Sequence, residues 1–155
     1  ENDLKVQAAI LSYGAFDIYK SSLEGFETSK NPFWLFSRSK ARGIFGNQYN
    51  AEKNSNMYQA LSPIYNIPKR ADRVLPPQFF LVGSKDSLTT PASVREYIEK
   101  LESFDHKTEY WEYEDRNHAF LDSGSNFFLG SNFEEDAPQA IDMIIDFLDR
   151  VFEEN

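Results

Sequence analysis

The chain has 155 residues with a formal net charge of −9 at pH 7, and it contains no cysteine and only two histidines. Its length suits one domain with a single core, while its acidity and its lack of Lys/Arg runs argue against nucleic acid and anionic membranes as partners. The composition also excludes disulfides and thiolate sites, predicts neither a metal site nor another cofactor, and offers no apolar stretch near the roughly 20 residues of a membrane span.

The first predicted element is a β-strand over residues 6–12, closed by Tyr13 and Gly14. This run is almost continuously apolar, which is typical of a strand buried on both faces. An inner strand is an unusual place for a natural domain to begin. We therefore expect the chain to start inside a larger fold.

Residues 17–58 form a less regular segment in which polar residues alternate with aromatic ones. Pro32 predicts the start of a helix that runs through Phe36 to Ala41 and ends at Gly43. Short helices with irregular links are expected throughout. The aromatic side chains belong either to an ordinary core or to a lid over an apolar pocket, and both interpretations stay open.

A β-α-β pattern follows. Pro76 and Pro77 lead into a predicted central strand over residues 78–82, and Thr90 with Pro91 predicts the start of a helix. The buried stripe predicted for this helix consists of Val94, Tyr97, Ile98 and Leu101. Residues 108–113 alternate between apolar and polar side chains, which indicates a strand near the sheet edge.

A polar segment over residues 122–135 precedes a final helix, for which Asp136 is the predicted N-terminal cap. Its predicted buried stripe consists of Ala140, Ile141, Ile144, Leu148 and Val151. Right-handed crossovers make successive strands parallel, with their carboxyl ends on one side of the sheet. The fold class is therefore predicted to be α/β.

Asp86 and His118 each lie a few residues beyond a predicted strand, so both are expected at the same edge of the sheet. Neighbouring strands lie about 5 Å apart, which allows the carboxylate to contact the imidazole. An Asp that fixes the tautomer of a His in this way belongs to a Ser-His-Asp triad. Asp115 is a rival partner for His118, but its position three residues earlier suits a loop-shaping role.

Each residue also has a simpler interpretation. Asp86 is followed by a Ser and lies before a Thr-Pro helix start, where an Asp commonly bonds to nearby backbone amides. His118 follows Arg116 and Asn117 and could be an ordinary surface side chain. His106, between helix and strand, has no strand to position it.

The serine expected for such a triad is not found in a Gly-x-Ser-x-Gly motif anywhere in the sequence. Ser12 has Ile10 two residues before it instead of glycine. Ser84 and Ser125 directly follow a glycine and are out of register. No His-Gly-Gly loop is present to supply oxyanion donors.

Four motifs in this order resemble the carboxyl-terminal half of an α/β-hydrolase of the esterase/lipase group, which includes acetyl esterases and hormone-sensitive-lipase-like enzymes. They are Leu61-Ser62-Pro63, Leu75-Pro76-Pro77, Gly83-Ser84-Lys85-Asp86-Ser87-Leu88 and Asn117-His118-Ala119-Phe120. The resemblance covers residues 61–152. It implies that residues 1–155 are the carboxyl-terminal part of one α/β-hydrolase domain, with residues 17–58 in the place of a cap insertion and the acid- and base-bearing strands and helices over residues 61–152.

The resemblance further implies that Asp86 is the triad acid and His118 the triad base, and that Leu88 and Phe120 help to wall an acyl pocket. The group often has Asp-Pro-Leu where this chain has Asp86-Ser87-Leu88. It often has Gly-His-Gly-Phe where this chain has Asn117-His118-Ala119-Phe120. Both departures keep the acid, the base and the apolar residue that follows. They concern loop conformation more than mechanism.

The main functional hypothesis is a fragment of a serine esterase that acts on small acyl esters, inactive alone because a nucleophile is required. Its expected partners are the ester substrate and the amino-terminal half of the same fold. Alternatives are a fragment of a prolyl-oligopeptidase-type peptidase, or a non-catalytic α/β binding domain whose exposed first strand favours a homo-oligomer. A soluble protein is expected; the cytoplasm is favoured and the compartment is otherwise open.

Overall fold

A computed structural model of the chain describes residues 5–31, 34, 40–122, 125–126 and 131–153. The chain divides into two compact units. The first unit comprises Glu1–Gly14 with Pro68–Asn155, and the second comprises Ala15–Ile67. The second unit encloses the segment 17–58, whose identity as a cap insertion stays a prediction.

A parallel three-stranded sheet lies at the centre of the first unit. Its strands in spatial order are β1 (Ala9–Ser12), β2 (Gln78–Gly83) and β3 (Thr108–Tyr113). All six residues of β2 are buried. The apolar and aromatic composition of this strand predicts its central position, and the predicted parallel α/β arrangement is confirmed.

The prediction for the first strand is wrong in part. β1 lies at an edge of the described sheet and is only half-buried. With a neighbouring strand on one side only, among the described residues, it keeps part of its surface accessible. Val6, which was predicted to belong to this strand, lies before it and is 70% exposed.

The described helices belong to one unit or the other. The second unit contains α1 (Ile18–Leu23), α2 (Ser55–Leu61) and the 3₁₀ turn Pro63–Tyr65. The first unit contains α3 (Pro91–Ser103), α4 (Phe133–Glu153) and a two-residue antiparallel pair, β4 (Ser125–Asn126) with β5 (Ser131–Asn132). The helix predicted from Pro32 to Ala41 falls mostly outside the described residues.

The two helices of the first unit cover opposite faces of the sheet. On the α3 side, the rings of Phe80 and Tyr97 meet edge to face with centroids 5.9 Å apart. The predicted α3 stripe is confirmed, since all four of its residues are buried. On the α4 side lies the main hydrophobic cluster, which consists of Phe79, Leu81, Phe120, Phe147 and Val151.

Two details of the α4 prediction are wrong. The helix begins at Phe133, so Asp136 lies in its first turn rather than at its cap. The buried face includes Phe147 and not Ile141, which is 46% exposed. Ile141 follows Ala140, and one residue is a rotation of about 100° on a helix, which turns its side chain away from the sheet.

Among the described residues of the second unit, Tyr58 is the most buried aromatic one. Its ring meets that of Phe45 edge to face at 5.0 Å, and its hydroxyl donates to Glu27 at 2.8 Å. An open cavity of about 460 Å³ in the same unit is lined largely by polar and charged side chains, including Glu24, Arg42 and Asn47. Whether the aromatic side chains of this segment form an ordinary core or a lid stays a prediction.

Across the part of the chain that the structure describes, no helix combines the length and the apolar character that crossing a bilayer requires.

Candidate active site

The loops after β2 and β3 bring Asp86 and His118 together. Oδ2 of Asp86 lies 2.9 Å from Nδ1 of His118. The carboxylate side chain has no exposed surface, whereas 28% of the His118 side chain is accessible. The pair therefore presents its imidazole outward and keeps its carboxylate inside.

Asp86 has a hydrogen-bond donor for each of its lone-pair positions. Oδ1 accepts the backbone amides of Leu88 and Thr89, each at 2.9 Å. Oδ2 accepts the Thr89 hydroxyl, also at 2.9 Å, together with the His118 ring nitrogen. The backbone-turn interpretation of Asp86 and the imidazole-partner interpretation are therefore both correct, because each uses a different carboxylate oxygen.

These hydrogen bonds keep the carboxylate charged. Burial by itself would raise the pKa of Asp86, but the hydrogen bonds from His118 and from the amide and hydroxyl of Thr89 outweigh it. The pKa of Asp86 consequently lies below its ordinary value of 3.8. A charged Asp86 can only accept, so Nδ1 of His118 must carry the proton of the hydrogen bond.

This tautomer determines what His118 can do. With a proton on Nδ1, the neutral ring has its free lone pair on Nε2, which can accept a proton from another group. The resulting imidazolium would be stabilised by the buried carboxylate beside Nδ1. The arrangement is that of a general base oriented by an acid.

Tyr13, at the end of β1, lies against the imidazole. Its ring meets that of His118 at 5.1 Å and that of Phe120 at 5.7 Å, both edge to face. Its hydroxyl donates to Asp122 at 3.3 Å. Burial, followed by the charge and hydrogen bond of Asp122, raises the pKa of Tyr13, so the phenol beside His118 stays neutral.

Four contacts hold the two loops together. The amide of Ser84 donates to the carbonyl of Tyr113 at 2.8 Å, and the amide of Lys85 donates to the carbonyl of Arg116 at 2.9 Å. In the other direction, the amide of Asp115 donates to the Ser84 hydroxyl at 2.9 Å. The Lys85 ammonium also lies 2.8 Å from the Asp115 carboxylate.

The His118 loop is also fixed to α4. Nε and Nη2 of Arg116 both lie 2.6 Å from Oδ1 of Asp136, whose side chain is fully buried. The second oxygen of Asp136 accepts the amide of Asn132 at 3.0 Å. The guanidinium also lies over the Tyr113 ring, 5.4 Å from its centroid. Arg116 therefore connects β3, its loop and the start of α4.

No protein-family model and no curated protein sequence matches the chain. Solved structures do resemble it. One is the propionate-bound esterase Est2 of the Planctomycetes species Thermogutta terrifontis, at 19% identity and a TM-score of 0.52. The match covers 92% of this chain and 43% of the esterase chain.

Two peptidases resemble the chain to the same degree. An acylaminoacyl peptidase in complex with a chloromethyl ketone matches at 20% identity and a TM-score of 0.53, over 81% of this chain and 18% of its own. A puromycin-hydrolyzing peptidase of Mycobacterium tuberculosis matches at 21% identity and a TM-score of 0.51, over 73% and 15%. The chain has part of an α/β-hydrolase fold. It spans less than half the length of the structures that it resembles.

Asp115, the rival partner for His118, and His106, the second histidine, take no part in the Asp86–His118 contact. Asp115 is exposed and pairs with Lys85, and its positive φ of 59° marks a tight turn. His106 is 4% exposed, and its Nε2 lies 2.7 Å from the carbonyl oxygen of Pro68. The predicted loop-shaping role of Asp115 agrees with this geometry, and His106 is buried away from the Asp86–His118 pair.

The two residues predicted to wall an acyl pocket differ in exposure. Leu88 is half-buried. Phe120 is 0% exposed and lies in the main hydrophobic cluster of the hydrolase fold. In this chain Phe120 offers no free surface to a ligand, and the pocket role of both residues stays a prediction.

Three residues that contact the pair or its loops, Tyr13, Thr89 and Arg116, are not predicted as site residues from the sequence. No role for Thr89 is predicted from the sequence, although an Asp followed three residues later by Thr is a common pattern for side-chain bonds within a turn. Arg116 was treated as a neighbour of His118. Its partner, Asp136, follows it by 20 positions, and no local pattern in the sequence connects them.

The described residues contain no group of three or more His, Cys, Asp or Glu side chains arranged to hold a metal ion.

Proposed function

We propose that this chain supplies the acid and the base of a serine carboxylic-ester hydrolase. The observation that carries the proposal is the 2.9 Å contact between a buried, charged Asp86 and a partly accessible His118. In the proposal, the nucleophilic serine and the oxyanion donors come from polypeptide outside this chain. The lack of a Gly-x-Ser-x-Gly motif in the sequence supports that division.

In the proposed reaction, Nε2 of His118 takes the proton of the serine hydroxyl as the serine oxygen attacks the ester carbonyl. Backbone amides outside this chain hold the oxyanion. His118 then gives its proton to the departing alcohol, which leaves an acyl-enzyme. Water, deprotonated by the same nitrogen, attacks the acyl-enzyme, and His118 returns the proton to the serine oxygen as the acid leaves. Asp86 stabilises the imidazolium in both steps.

We propose small, neutral acyl esters as substrates. The chain is strongly acidic, with 25 Asp and Glu against 16 Lys and Arg, which disfavours anionic substrates. The segment 17–58 is proposed to act as a cap insertion. It lies between β1 and β2, where the enzymes that the sequence resembles insert their cap helices. Leu88 is proposed to border the acyl pocket when the remaining polypeptide is present, and Phe120, which is 0% exposed, is proposed to support that wall from inside the hydrophobic cluster.

The edge of β1 suggests where that polypeptide joins. β1 is paired on one side only among the described residues and is half-buried. An unpaired strand edge offers a row of amides and carbonyls to another strand. We propose that the amino-terminal half of the fold pairs there; without it, this edge would favour association between copies of the chain.

A peptidase is the second candidate. Two of the similar solved structures are peptidases, and their TM-scores of 0.53 and 0.51 lie on either side of the 0.52 of the esterase. The acid and base geometry suits the cleavage of amides and esters equally. Substrate preference, measured on the whole protein, separates the two activities.

The test uses the full-length protein that contains this chain, assayed with p-nitrophenyl esters of short acids and with matched p-nitroanilides. The esterase proposal predicts fast release from the esters, little release from the anilides, and one serine labelled by a fluorophosphonate. Preferential cleavage of the anilides would favour the peptidase. No cleavage and no labelling would contradict both. The 155-residue chain alone is expected to be inactive and unlabelled.

A further inference from the structure

The hydroxyl of Thr89 lies where the ends of three strands meet. Its oxygen is 3.0 Å from the carbonyl oxygen of Tyr13, 2.9 Å from Oδ2 of Asp86 and 3.2 Å from Nδ1 of His118. Thr89 is 9% exposed. One small side chain therefore contacts Tyr13, which directly follows β1, and both members of the acid–base pair.

The protons available at each contact decide whether the Thr89 hydroxyl donates or accepts there. A hydroxyl has a single proton and two lone pairs. The Tyr13 carbonyl and the charged Asp86 carboxylate can only accept, so they share or alternate for that proton. The lone pairs remain available to the Nδ1 proton of His118. Thr89 thus donates to Oδ2 of Asp86 and can accept from Nδ1 of His118, the same two atoms that are hydrogen-bonded to each other.

The backbone and the side chain of Thr89 act on different oxygens of the carboxylate. The Thr89 amide, with that of Leu88, holds Oδ1 within the turn. The hydroxyl contacts Oδ2, which is the oxygen that faces His118. Loss of the hydroxyl alone would leave the turn intact and free the rotation of the carboxylate toward the imidazole.

We propose that Thr89 is a positioning residue, whose hydroxyl holds Oδ2 of Asp86 in line with Nδ1 of His118 and ties both to the end of β1. This inference rests on the proposed function, since it assigns Thr89 a part in the same acid–base pair. The Tyr13 carbonyl is the fixed anchor of the contact. Tyr13 has a φ of 40°, a left-handed conformation that is uncommon for a residue other than glycine.

The first test measures ester hydrolysis by the full-length protein. Thr89→Val keeps the shape and removes the hydroxyl, so kcat should fall roughly 10- to 100-fold with KM unchanged, as expected for loss of a hydrogen bond to a charged group. Thr89→Ser restores the hydroxyl and should stay within about threefold of wild type. Unchanged kcat in Thr89→Val, or no recovery in Thr89→Ser, would overturn the proposal. If Thr89→Val does not fold, Thr89→Ala replaces it.

Thr90→Val is the matched control. The Thr90 hydroxyl accepts the amide of Ser93 and caps α3, and it has no described contact with the acid–base pair. Its loss should lower the melting temperature and leave kcat unchanged. If Thr90→Val lowered kcat as much as Thr89→Val, the effect would reflect general destabilisation and the positioning role would be wrong.

A second readout does not depend on esterase activity. The protein is labelled with ¹⁵N-histidine, and the signal of the His118 Nδ1 proton is identified by its loss in His118→Asn. This proton should exchange with water at least tenfold faster in Thr89→Val than in wild type, Thr89→Ser or Thr90→Val. Equal exchange rates in all four would overturn the positioning role. If the full-length protein hydrolyses no ester but the His118 proton exchanges faster in Thr89→Val, the proposed function would be contradicted and the contact of Thr89 with the Asp86–His118 pair would be supported.

Discussion

Gly83, the last residue of β2, lies against the carbonyl of Arg116. A β-carbon added to Gly83 would be 2.2 Å from that oxygen and 2.8 Å from the carbonyl oxygen of Asn117. Both atoms belong to backbone, which cannot move aside as the end of a flexible side chain would. The loop that carries His118 therefore depends on the absence of a side chain at the end of the neighbouring strand.

Gly83→Ala should separate the two loops and destabilise the first unit by about 1–3 kcal/mol, the usual cost of overpacking. Unfolding in urea measures the stability, and the His118 Nδ1 proton reports whether the Asp86 contact persists. Gly46→Ala is the control, because its β-carbon would meet nothing within 4 Å and only its φ of 95° is unfavourable. Equal effects on the His118 proton would contradict the close-approach argument.

Arg116→Leu should cost about 3–5 kcal/mol, because it leaves the carboxylate of Asp136 fully buried without its charged partner. Arg116→Leu combined with Asp136→Asn should recover part of this loss. The control is Arg150→Leu, which breaks an exposed pair with Glu109 and should cost at most about 1 kcal/mol. Similar losses for Arg116→Leu and Arg150→Leu, measured by urea unfolding, would show that the buried pair has no special role.

The lowered pKa of Asp86 predicts a loss of stability in acid. Because the folded-state pKa lies below the unfolded-state value of about 3.8, the stabilisation is fully present above that pH and is lost as the pH falls through the folded-state pKa. Asp86→Asn should therefore show a shallower decline of unfolding free energy below about pH 4. Asp146→Asn, an exposed change on α4, controls for the loss of one negative charge. A decline as steep as in wild type would refute the assignment.

The raised pKa of Tyr58 predicts that the second unit loses stability at alkaline pH. Burial and the hydrogen bond and charge of Glu27 raise its pKa from 10.0 to about 12. The stabilisation is thus full below pH 10 and is lost as the pH rises through about 12. Tyr58→Phe should remove this transition and cost about 1–3 kcal/mol at neutral pH. Tyrosinate absorbance identifies the group; Tyr65→Phe, at a residue 46% exposed, is the control.

The sequence predicts the fold where one physical cause dominates. The α3 stripe follows from helical periodicity, and the parallel order of β2 and β3 follows from the crossover rule. The apolar run at β1 predicts a strand but not its burial, since burial depends on which strands pair beside it. Local patterns also mispredict the start of α4, because Asp136 pairs with a residue 20 positions away.

The candidate site shows the same division. The position of Asp86 and His118 after neighbouring strands predicts that the two side chains lie at one edge of the sheet, and the structure places them 2.9 Å apart. Their catalytic roles stay a prediction. The contact of Thr89 with Asp86 has a local signal, but its contact with Tyr13 joins loops 76 positions apart in the sequence, and no spacing predicts it.

The most direct test of the central claim is the rate of p-nitrophenyl acetate hydrolysis by the full-length protein and two variants of it. Asp115→Asn alters the rival acid near His118, which is exposed and bonded to Lys85, and should keep the wild-type kcat. His118→Ala removes the proposed base and should lower kcat by roughly 10⁴-fold, as loss of a triad member does. Undiminished turnover in His118→Ala would contradict the account.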